Sequence, residues 1–318
     1  MQAPTAHFFE RHSKITLLGV ILFLSILSLL LLNTLASTFL GLGKVVIYQA
    51  HPIYGYSPKP NQIVSRNKNH TIKINNLGLR AEKDWDDSPT HKVLFVGDSV
   101  TYGGSYIDNS ELFSALAVQH YPHLISGNAG VNGWGVNNVH AFIKEMAFLP
   151  AETYVSIFPE GDFYRGLQRI GGQPFWTKPP RFALEELFHY FIYKIHLSQM
   201  PLTTPFMNND AEKTKVAEVA VRNLKDLDNY LKSNHRQHII FISPSKLQVA
   251  GTEPNDPILK KLFAKYNLKV NYLDEKLKTI PDEEKQAIFH DGIHLTAQGH
   301  QLWAKLIAPY LNRDFNDN

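Results

Sequence analysis

The chain has 318 residues, 44% of them hydrophobic, which is enough for one large or two small folded domains and excludes general disorder. Its 32 basic and 29 acidic residues give a formal net charge of +3 and are mixed along the chain, so no basic tract indicates nucleic-acid binding. Cysteine is absent, which excludes disulfides, a thiol nucleophile, a Cys-ligated metal and a lipid-modified N-terminal cysteine.

The first predicted element is a membrane anchor at 15–43. Its core, ITLLGVILFLSILSLLLL, carries no charge, and with NTLASTFLGLG behind it the segment is long enough to cross a bilayer as a helix. Arg11 and Lys14 precede the segment, which predicts a cytoplasmic N-terminus at 1–14 and a periplasmic location for the rest of a single-pass protein. A cleaved signal peptide is the alternative; the long apolar run and the poor cleavage site TLAS favour an uncleaved anchor.

Residues 44–91 follow as an N-terminal extension, or stalk, rich in Pro, Asn, Lys and Tyr, in which HTIKIN predicts a short strand. We expect this stalk to pack partly on the domain at 92–318. Within that domain, short apolar runs alternate with helical patterns, which predicts an α/β three-layer sandwich around a parallel five-stranded sheet. The predicted strands are 92–97, 124–128, 153–158, 238–243 and 269–274.

Helical spacing of apolar residues predicts four helices between and after these strands. They cover 108–121, 137–149, 213–234 and 297–311. The connection between the third and fourth strands also holds an aromatic, basic insertion at 163–206, with a further helix at 181–197. We expect that helix to pack against the main domain; the alternatives are a lid over the site and a helix lying against the membrane.

A serine follows the first predicted strand in VLFVGDSVTYGG. Ligands bind at the carboxyl ends of strands in an open parallel sheet, and Ser99 lies at such an end. A serine on a strand-to-helix turn can expose its hydroxyl, while nearby backbone N–H groups can stabilise an oxyanion. Gly-Asp-Ser is also a common turn composition, so this stretch alone does not indicate catalysis.

The second motif, HDGIHLTAQGH, precedes the last predicted helix. Asp291 and His294 are three residues apart in a glycine-containing loop, a spacing that lets a carboxylate orient and polarise an imidazole. An ordinary surface loop is the simpler interpretation of this pair by itself. Combined with a serine at a strand end, however, the pair completes a Ser-His-Asp set.

These two motifs resemble those of the SGNH, or GDSL-type, hydrolase superfamily, over residues 92–311. The resemblance implies the flavodoxin-like SGNH fold, with Ser99 as nucleophile, His294 as general base and acid, and Asp291 as its orienting partner. No Gly-x-Ser-x-Gly is present, so the α/β-hydrolase elbow is not the better match.

The same resemblance implies an oxyanion hole made by the Ser99 N–H and by a glycine N–H within NAGVNGWG. Spacing points to Gly133, with Gly130 as the alternative. The family's third block supplies an Asn side chain as a further donor, but here IFPEGDFYRG places Gly161 at that position. Loss of one such donor typically lowers the rate about a hundred- to thousandfold.

Replacement donors for the missing Asn are Asn132, Asn137, Asn138 and Arg165, each of which also suits a plain loop-bonding role. Candidate substrate contacts are Asp98, Trp134, Asp162, Arg165 and Trp176. The two tryptophans can stack on a sugar ring or an acyl chain, or pack in the core. The histidines form no metal-binding pattern, so we predict neither a metal nor a cofactor.

The stalk carries a second resemblance. HPIYGYSPKP and INNLGLR, before the Gly-Asp-Ser strand, are similar to segments of membrane-anchored SGNH proteins of bacterial envelopes. Proteins of that kind act on acyl groups of surface polysaccharides. The resemblance therefore implies a serine esterase for acyl, in particular acetyl, esters of an envelope polysaccharide or related glycan, tethered to the membrane.

Three alternatives remain open: an O-acyltransferase on the same scaffold, a non-catalytic anchored binding or assembly protein, and a lipid-active esterase. Gly161 favours the non-catalytic protein, and the aromatic helix favours the lipid-active one. The expected partners are an acylated small molecule or glycan and the membrane, without nucleic acid. Protein partners and the oligomeric state are not indicated by any motif.

Overall fold

The computed structural model describes most of the chain, with gaps at both ends and in several loops. The described residues are 11–66, 70–85, 90–147, 149–170, 175–197, 207, 209–277 and 280–311. Residues 1–10 of the predicted cytoplasmic segment and 171–174 and 198–206 of the predicted insertion lie outside them.

The chain begins with one long apolar helix, α1 (Ser13–Phe39). Its most apolar 18-residue window has a mean hydropathy of 2.9, and none of that window is buried against the rest of the protein. Length and composition allow a helix of this kind to cross a membrane or to serve as a signal sequence. The predicted apolar helix is therefore present, and it stands apart from the core.

Two antiparallel hairpins follow α1. They are formed by β1 (Tyr48–His51) with β2 (Gly55–Pro58), and by β3 (Gln62–Arg66) with β4 (His70–Ile74). Buried side chains of this region, among them Tyr56 and Ile72, belong to the same hydrophobic cluster as side chains of the central sheet. The extension at 44–91 thus shares its core with the α/β part of the chain.

The central sheet is parallel and five-stranded, in the order β6-β5-β7-β8-β9. Its strands are β5 (His91–Gly97), β6 (Leu124–Asn128), β7 (Thr153–Pro159), β8 (Gln237–Ser243) and β9 (Asn271–Tyr272). This is the flavodoxin-like order and confirms the predicted fold class. The last strand is shorter than predicted because only Phe241 and Ile242 of β8 pair with it.

Helices cover both faces of this sheet, and one further long helix, α5 (Ala183–Leu197), lies apart from it. The longer helices on the sheet are α4 (Val136–Glu145), α6 (Asp210–Ser233), α8 (Pro257–Lys265) and α11 (Ala297–Leu311). The shorter ones are α2 (Ser99–Tyr102), α3 (Phe113–Leu116), α7 (Lys246–Val249), α9 (Leu273–Leu277) and α10 (Asp282–Ala287).

The helix predicted at 108–121 is wrong as a continuous element. The chain instead forms a 3₁₀ turn at Asn109–Glu111 and then α3, with Leu112 between them in an extended conformation. The Asp108 side chain caps the first turn and Glu111 closes a capping box, so the helix-like residue spacing is divided between two short elements.

Two hydrophobic clusters lie on opposite faces of the sheet. Side chains alternate along β5, so Leu94 and Val96 join one cluster, with residues of α4, α6 and α8, whereas Val93 and Phe95 join the other, with residues of α3, α9 and α11. Both faces are thereby covered, as parallel sheets require.

The aromatic helix α5 does not pack into the main domain as predicted. Phe188 and Phe191 are each 64% exposed. The start of α5 lies instead against α1, where the Leu184 N–H donates a hydrogen bond to Asn33 Oδ1 at 3.2 Å. Its apolar side chains are thus presented away from the sheet.

Candidate active site

Ser99 is positioned by a tight turn at the carboxyl end of β5. A Cβ atom on Gly97 would lie 2.3 Å from the Ile157 carbonyl oxygen and from Thr101 Oγ1, so only glycine allows this approach to β7. Asp98 then caps α2, because its Oδ1 accepts a hydrogen bond from the Val100 N–H at 2.8 Å. Ser99 therefore begins α2 at the sheet edge where ligands of such folds bind.

The structure brings Ser99, His294 and Asp291 together, although Ser99 lies almost two hundred residues before the other two. His294 Nε2 lies 2.8 Å from Ser99 Oγ, and His294 Nδ1 lies 2.7 Å from Asp291 Oδ2. Ser99 Oγ has a second, longer contact with Asp98 Oδ2 at 3.3 Å. This arrangement can activate a serine hydroxyl for attack on an acyl carbon.

The loop that carries Asp291 and His294 is braced by its own backbone. The His290 N–H donates to the His294 carbonyl oxygen at 2.8 Å, and Asp291 Oδ1 accepts from the N–H groups of Ile293 and His294 at 2.9 and 2.8 Å. Partial burial alone raises the pKa of Asp291, but these hydrogen bonds and the imidazole outweigh it and lower the pKa to about 2. The carboxylate is ionised at neutral pH.

Tyr106 supports this loop and was not singled out from the sequence. Its ring stacks on His290 with a centroid separation of 4.2 Å, and its hydroxyl donates to the Leu295 carbonyl oxygen at 3.2 Å. Burial, followed by the nearby Asp291 carboxylate, raises its pKa to about 12. Nothing in the local sequence around this tyrosine, seven residues after Ser99, predicts the contact.

Arg80, the last residue of INNLGLR, holds the chain that leaves the serine turn. It is buried, and its guanidinium donates to the carbonyl oxygens of Tyr102 and Gly104 at 2.7 and 2.6 Å and to that of Ile107. The N-terminal extension therefore takes part in shaping the site. Sequence reasoning noted the segment but not this contact.

A buried charged cluster lies beneath Ser99. Arg165 Nη1 lies 2.7 Å from Asp162 Oδ1 and 3.5 Å from Asp98 Oδ2, and it donates to the Trp134 carbonyl oxygen at 2.8 Å. Burial, and then the neighbouring Asp98 carboxylate, raise the pKa of Asp162 well above its usual range, although Arg165 opposes them.

Three of the predicted substrate contacts are wrong because their side chains are inaccessible. Asp98, Asp162 and Trp134 are 0% exposed, and Trp134 packs among Tyr54, Tyr56 and Phe142. Arg165 is 27% exposed and can still reach a substrate.

Trp176 is half-buried beside α5, where its ring meets that of His189 at 4.8 Å. It lines a groove between α5 and the end of α1, together with Leu40 and Leu42. Its position therefore connects it with the aromatic helix, and within the described residues it makes no hydrogen bond or ring contact with the Ser99 turn.

The two candidate oxyanion glycines differ in whether their N–H groups are engaged. The Gly130 N–H donates to Asn128 Oδ1 at 2.8 Å and is fully occupied by that bond. Gly133 has a φ of 78°, a left-handed conformation that favours glycine, and its N–H donates no hydrogen bond within the described residues. The geometry therefore favours Gly133 over Gly130 as a donor.

Gly161 follows β7 and is exposed, and a Cβ atom built on it meets nothing within 4 Å. Two of the replacement donors are engaged elsewhere. Asn137 Nδ2 donates to the Arg165 carbonyl oxygen, and Asn138 Nδ2 donates to the carbonyl oxygens of Tyr54 and Gln168. A Cβ atom at position 161 therefore causes no steric clash.

Solved structures similar to this one come from several bacteria. A member of the lipolytic protein G-D-S-L family from Veillonella parvula is 14% identical, with 70% of this chain and 99% of that chain covered and a TM-score of 0.43. A lipase/acylhydrolase from Enterococcus faecalis is 16% identical, with 70% and 95% covered and a TM-score of 0.42. A catalytic mutant of an acetylxylan esterase from Geobacillus stearothermophilus is 17% identical, with 72% and 97% covered and a TM-score of 0.42. No protein-family model and no curated protein matches the sequence.

Proposed function

We propose that this chain is a serine esterase of the SGNH type, with Ser99 as nucleophile, His294 as general base and acid, and Asp291 as its orienting carboxylate. The observation that carries the proposal is the continuous hydrogen-bonded path from Asp291 through His294 to Ser99, with separations of 2.7 and 2.8 Å. It is supported by the Gly-Asp-Ser and Asp-x-x-His motifs at the same residues.

In the proposed reaction Ser99 Oγ attacks the ester carbonyl carbon while His294 Nε2 accepts the hydroxyl proton. Asp291 accepts a hydrogen bond from the Nδ1–H group and, staying ionised, stabilises the imidazolium that forms. The N–H groups of Ser99 and Gly133 donate to the oxyanion. His294 returns its proton to the leaving alcohol, and water, activated by the same imidazole, then releases the acyl group from Ser99.

The proposed substrate is an acyl ester, in particular an acetyl ester, of an envelope glycan. Support comes from the resemblance of the stalk motifs and from the openness of the site, since the side chains of His294 and Asp291 are 29% and 50% exposed. A site of this kind can receive an ester that projects from a polymer. With α1 as an uncleaved anchor, the site faces the periplasm.

Gly161 favours a second candidate, a non-catalytic anchored protein that binds the same acylated ligand. It provides no side-chain donor at the position where the resemblance expects an Asn. A third outcome, acyl transfer, follows if a sugar hydroxyl rather than water receives the acyl group from Ser99. The product distinguishes that outcome from hydrolysis.

The test uses the full chain in detergent, a fluorophosphonate probe and p-nitrophenyl acetate, with Ser99→Ala as control. We expect labelling and turnover in the wild type and a loss of turnover of at least about a thousandfold in Ser99→Ala. A wild-type protein with intact circular dichroism that neither reacts with the probe nor hydrolyses the ester contradicts the esterase and leaves the binding protein.

A further inference from the structure

Helix α5 carries an exposed apolar stripe made of Leu187, Phe188, Phe191 and Ile195. These side chains are 52%, 64%, 64% and 50% exposed. Their spacing places them on one side of the helix. A contiguous set of large apolar side chains on a surface usually marks a contact with another apolar phase or partner.

The opposite side of α5 is held by polar and aromatic contacts, which determine the direction of the stripe. Glu186 forms an ion pair with Arg66 at 2.6 Å and accepts a hydrogen bond from the Gly43 N–H at 2.7 Å. His189 packs edge-on against the Trp176 ring. With that side engaged, the stripe points away from the rest of the protein.

The beginning of α5 is joined to the last turns of α1. Besides the hydrogen bond from Leu184 to Asn33, the backbone of Gly43 passes so close to Ala183 that an added Cβ would lie 3.1 Å from Ala183 Cα. Asn33 is six residues before the end of α1 at Phe39, which corresponds to about 9 Å along the helix axis. Helices that lie in a membrane interface are buried to about 5–10 Å.

We propose that α5 lies in the membrane interface, with its apolar stripe inserted among the lipid acyl chains. The occupant of this surface is a phospholipid bilayer, because the start of α5 contacts α1, the helix that the anchored protein already presents to lipid, and Leu187 of the stripe lines the same groove as Leu40 at the end of α1. This inference rests on the proposed anchoring of the chain by α1. It gives the protein a second, non-spanning membrane contact.

The placement of α5 also bears on the catalytic site. Trp176 lines the groove beside α5. The preceding residue, Phe175, lies nearer the site, and its ring centroid is 5.0 Å from that of Tyr56. The Tyr56 hydroxyl donates to the Asn132 carbonyl oxygen at 2.7 Å, next to Gly133. An aromatic path thus joins the membrane-facing helix to the proposed oxyanion loop and holds the site near the bilayer surface.

The absence of cysteine makes the test direct, since each introduced cysteine is the only labelling site. Four single variants of the full chain receive a nitroxide label and are reconstituted in phosphatidylcholine–phosphatidylglycerol vesicles. Phe188→Cys and Phe191→Cys report on the stripe, Leu24→Cys reports on α1, and Leu247→Cys, 58% exposed on α7, is the aqueous control. Power saturation with oxygen and with a water-soluble nickel chelate measures the depth of each label.

Labels at 188, 191 and 24 are expected to be relaxed mainly by oxygen, and the label at 247 mainly by the nickel chelate. If the label at 24 lies in lipid while those at 188 and 191 match the label at 247, the inference is overturned and the anchor stands. If the label at 24 is also aqueous, the anchoring fails together with the inference. Hydrolysis of p-nitrophenyl acetate by each variant, measured in parallel, separates both results from the esterase proposal.

Discussion

Among the residues that the structure describes, two Ser-His-Asp arrangements have the same hydrogen-bond connectivity. In the proposed site, His294 lies 2.8 Å from Ser99 and 2.7 Å from Asp291. In the second, between β7, β8 and α6, His238 Nε2 lies 2.9 Å from Ser156 Oγ and His238 Nδ1 lies 3.2 Å from Asp228 Oδ1. Hydrogen-bond distances alone do not distinguish them.

The two arrangements differ in solvent exposure and in the role of their charged groups. Ser156 and the His238 side chain are fully buried, so no ester can reach the hydroxyl. Burial lowers the pKa of His238, although the Asp228 carboxylate opposes it, and the imidazole remains neutral. The buried set therefore connects a helix to the sheet, whereas the set at the sheet edge has the exposure that a reaction requires.

The largest expected contrast comes from removing one carboxylate charge from each arrangement. Asp291→Asn is expected to lower kcat for p-nitrophenyl acetate by about a thousandfold or more, because the amide no longer stabilises the imidazolium or selects its tautomer. The matched Asp228→Asn variant is expected to keep kcat per folded molecule within about threefold. An equal loss of kcat per folded molecule in both variants would contradict the assignment of catalysis to Ser99, His294 and Asp291.

A smaller and opposite effect is expected at Gly161. Gly161→Asn adds an amide donor at a position where a Cβ atom meets no neighbouring atom within 4 Å. Because removing an oxyanion donor costs about a hundred- to thousandfold, a restored but unoptimised donor is expected to raise kcat about tenfold or more. Gly161→Ala, which changes the backbone similarly without a donor, serves as control; a rise of the same size in both variants contradicts the assignment.

The smallest expected effect is on the stability contributed by the buried arrangement. Burial alone raises the pKa of Asp228, but His238 and then Lys232 outweigh it and lower the pKa to about 2 from the ordinary 3.8. Lowering the pKa from 3.8 to about 2 corresponds to about 2 kcal/mol of stability above pH 4. The sign follows from the depressed pKa: this contribution is complete above the unfolded value and is lost as the pH falls through the folded one.

Urea denaturation of the wild type and Asp228→Asn checks this expectation. Above about pH 4 the variant is expected to unfold with a free energy lower by about 2 kcal/mol, and the difference is expected to close as the pH approaches 2. A difference that stays constant from pH 6 to pH 2.5 would assign the effect to lost packing rather than to the carboxylate charge.

Most of the sheet and the long helices could be predicted, because periods of two and 3.6 residues directly record which side chains are buried. The motifs at Ser99 and at Asp291 and His294 could also be recognised from the sequence, since local backbone constraints need those residue types. The prediction of one helix at 108–121 was wrong because the chain is extended at Leu112, between a capped 3₁₀ turn and α3. The predicted packing of α5 was wrong because an apolar helical pattern does not indicate which surface covers it.

The amino-acid sequence was enough to locate the five strands of the central sheet, the apolar N-terminal helix and the three residues that form the hydrogen-bonded path. Tertiary structure decided which residues the solvent reaches, since it buries Asp98, Trp134 and Asp162. It also pairs the Gly130 N–H with a side chain and leaves the Gly133 N–H without a hydrogen bond within the described residues. It also decided that Ser99 lies at the open carboxyl end of the strands, whereas Ser156 lies within the sheet. The physical reason is that residue type and local spacing set hydrogen-bonding capacity and backbone conformation, whereas exposure depends on packing between segments distant in the chain.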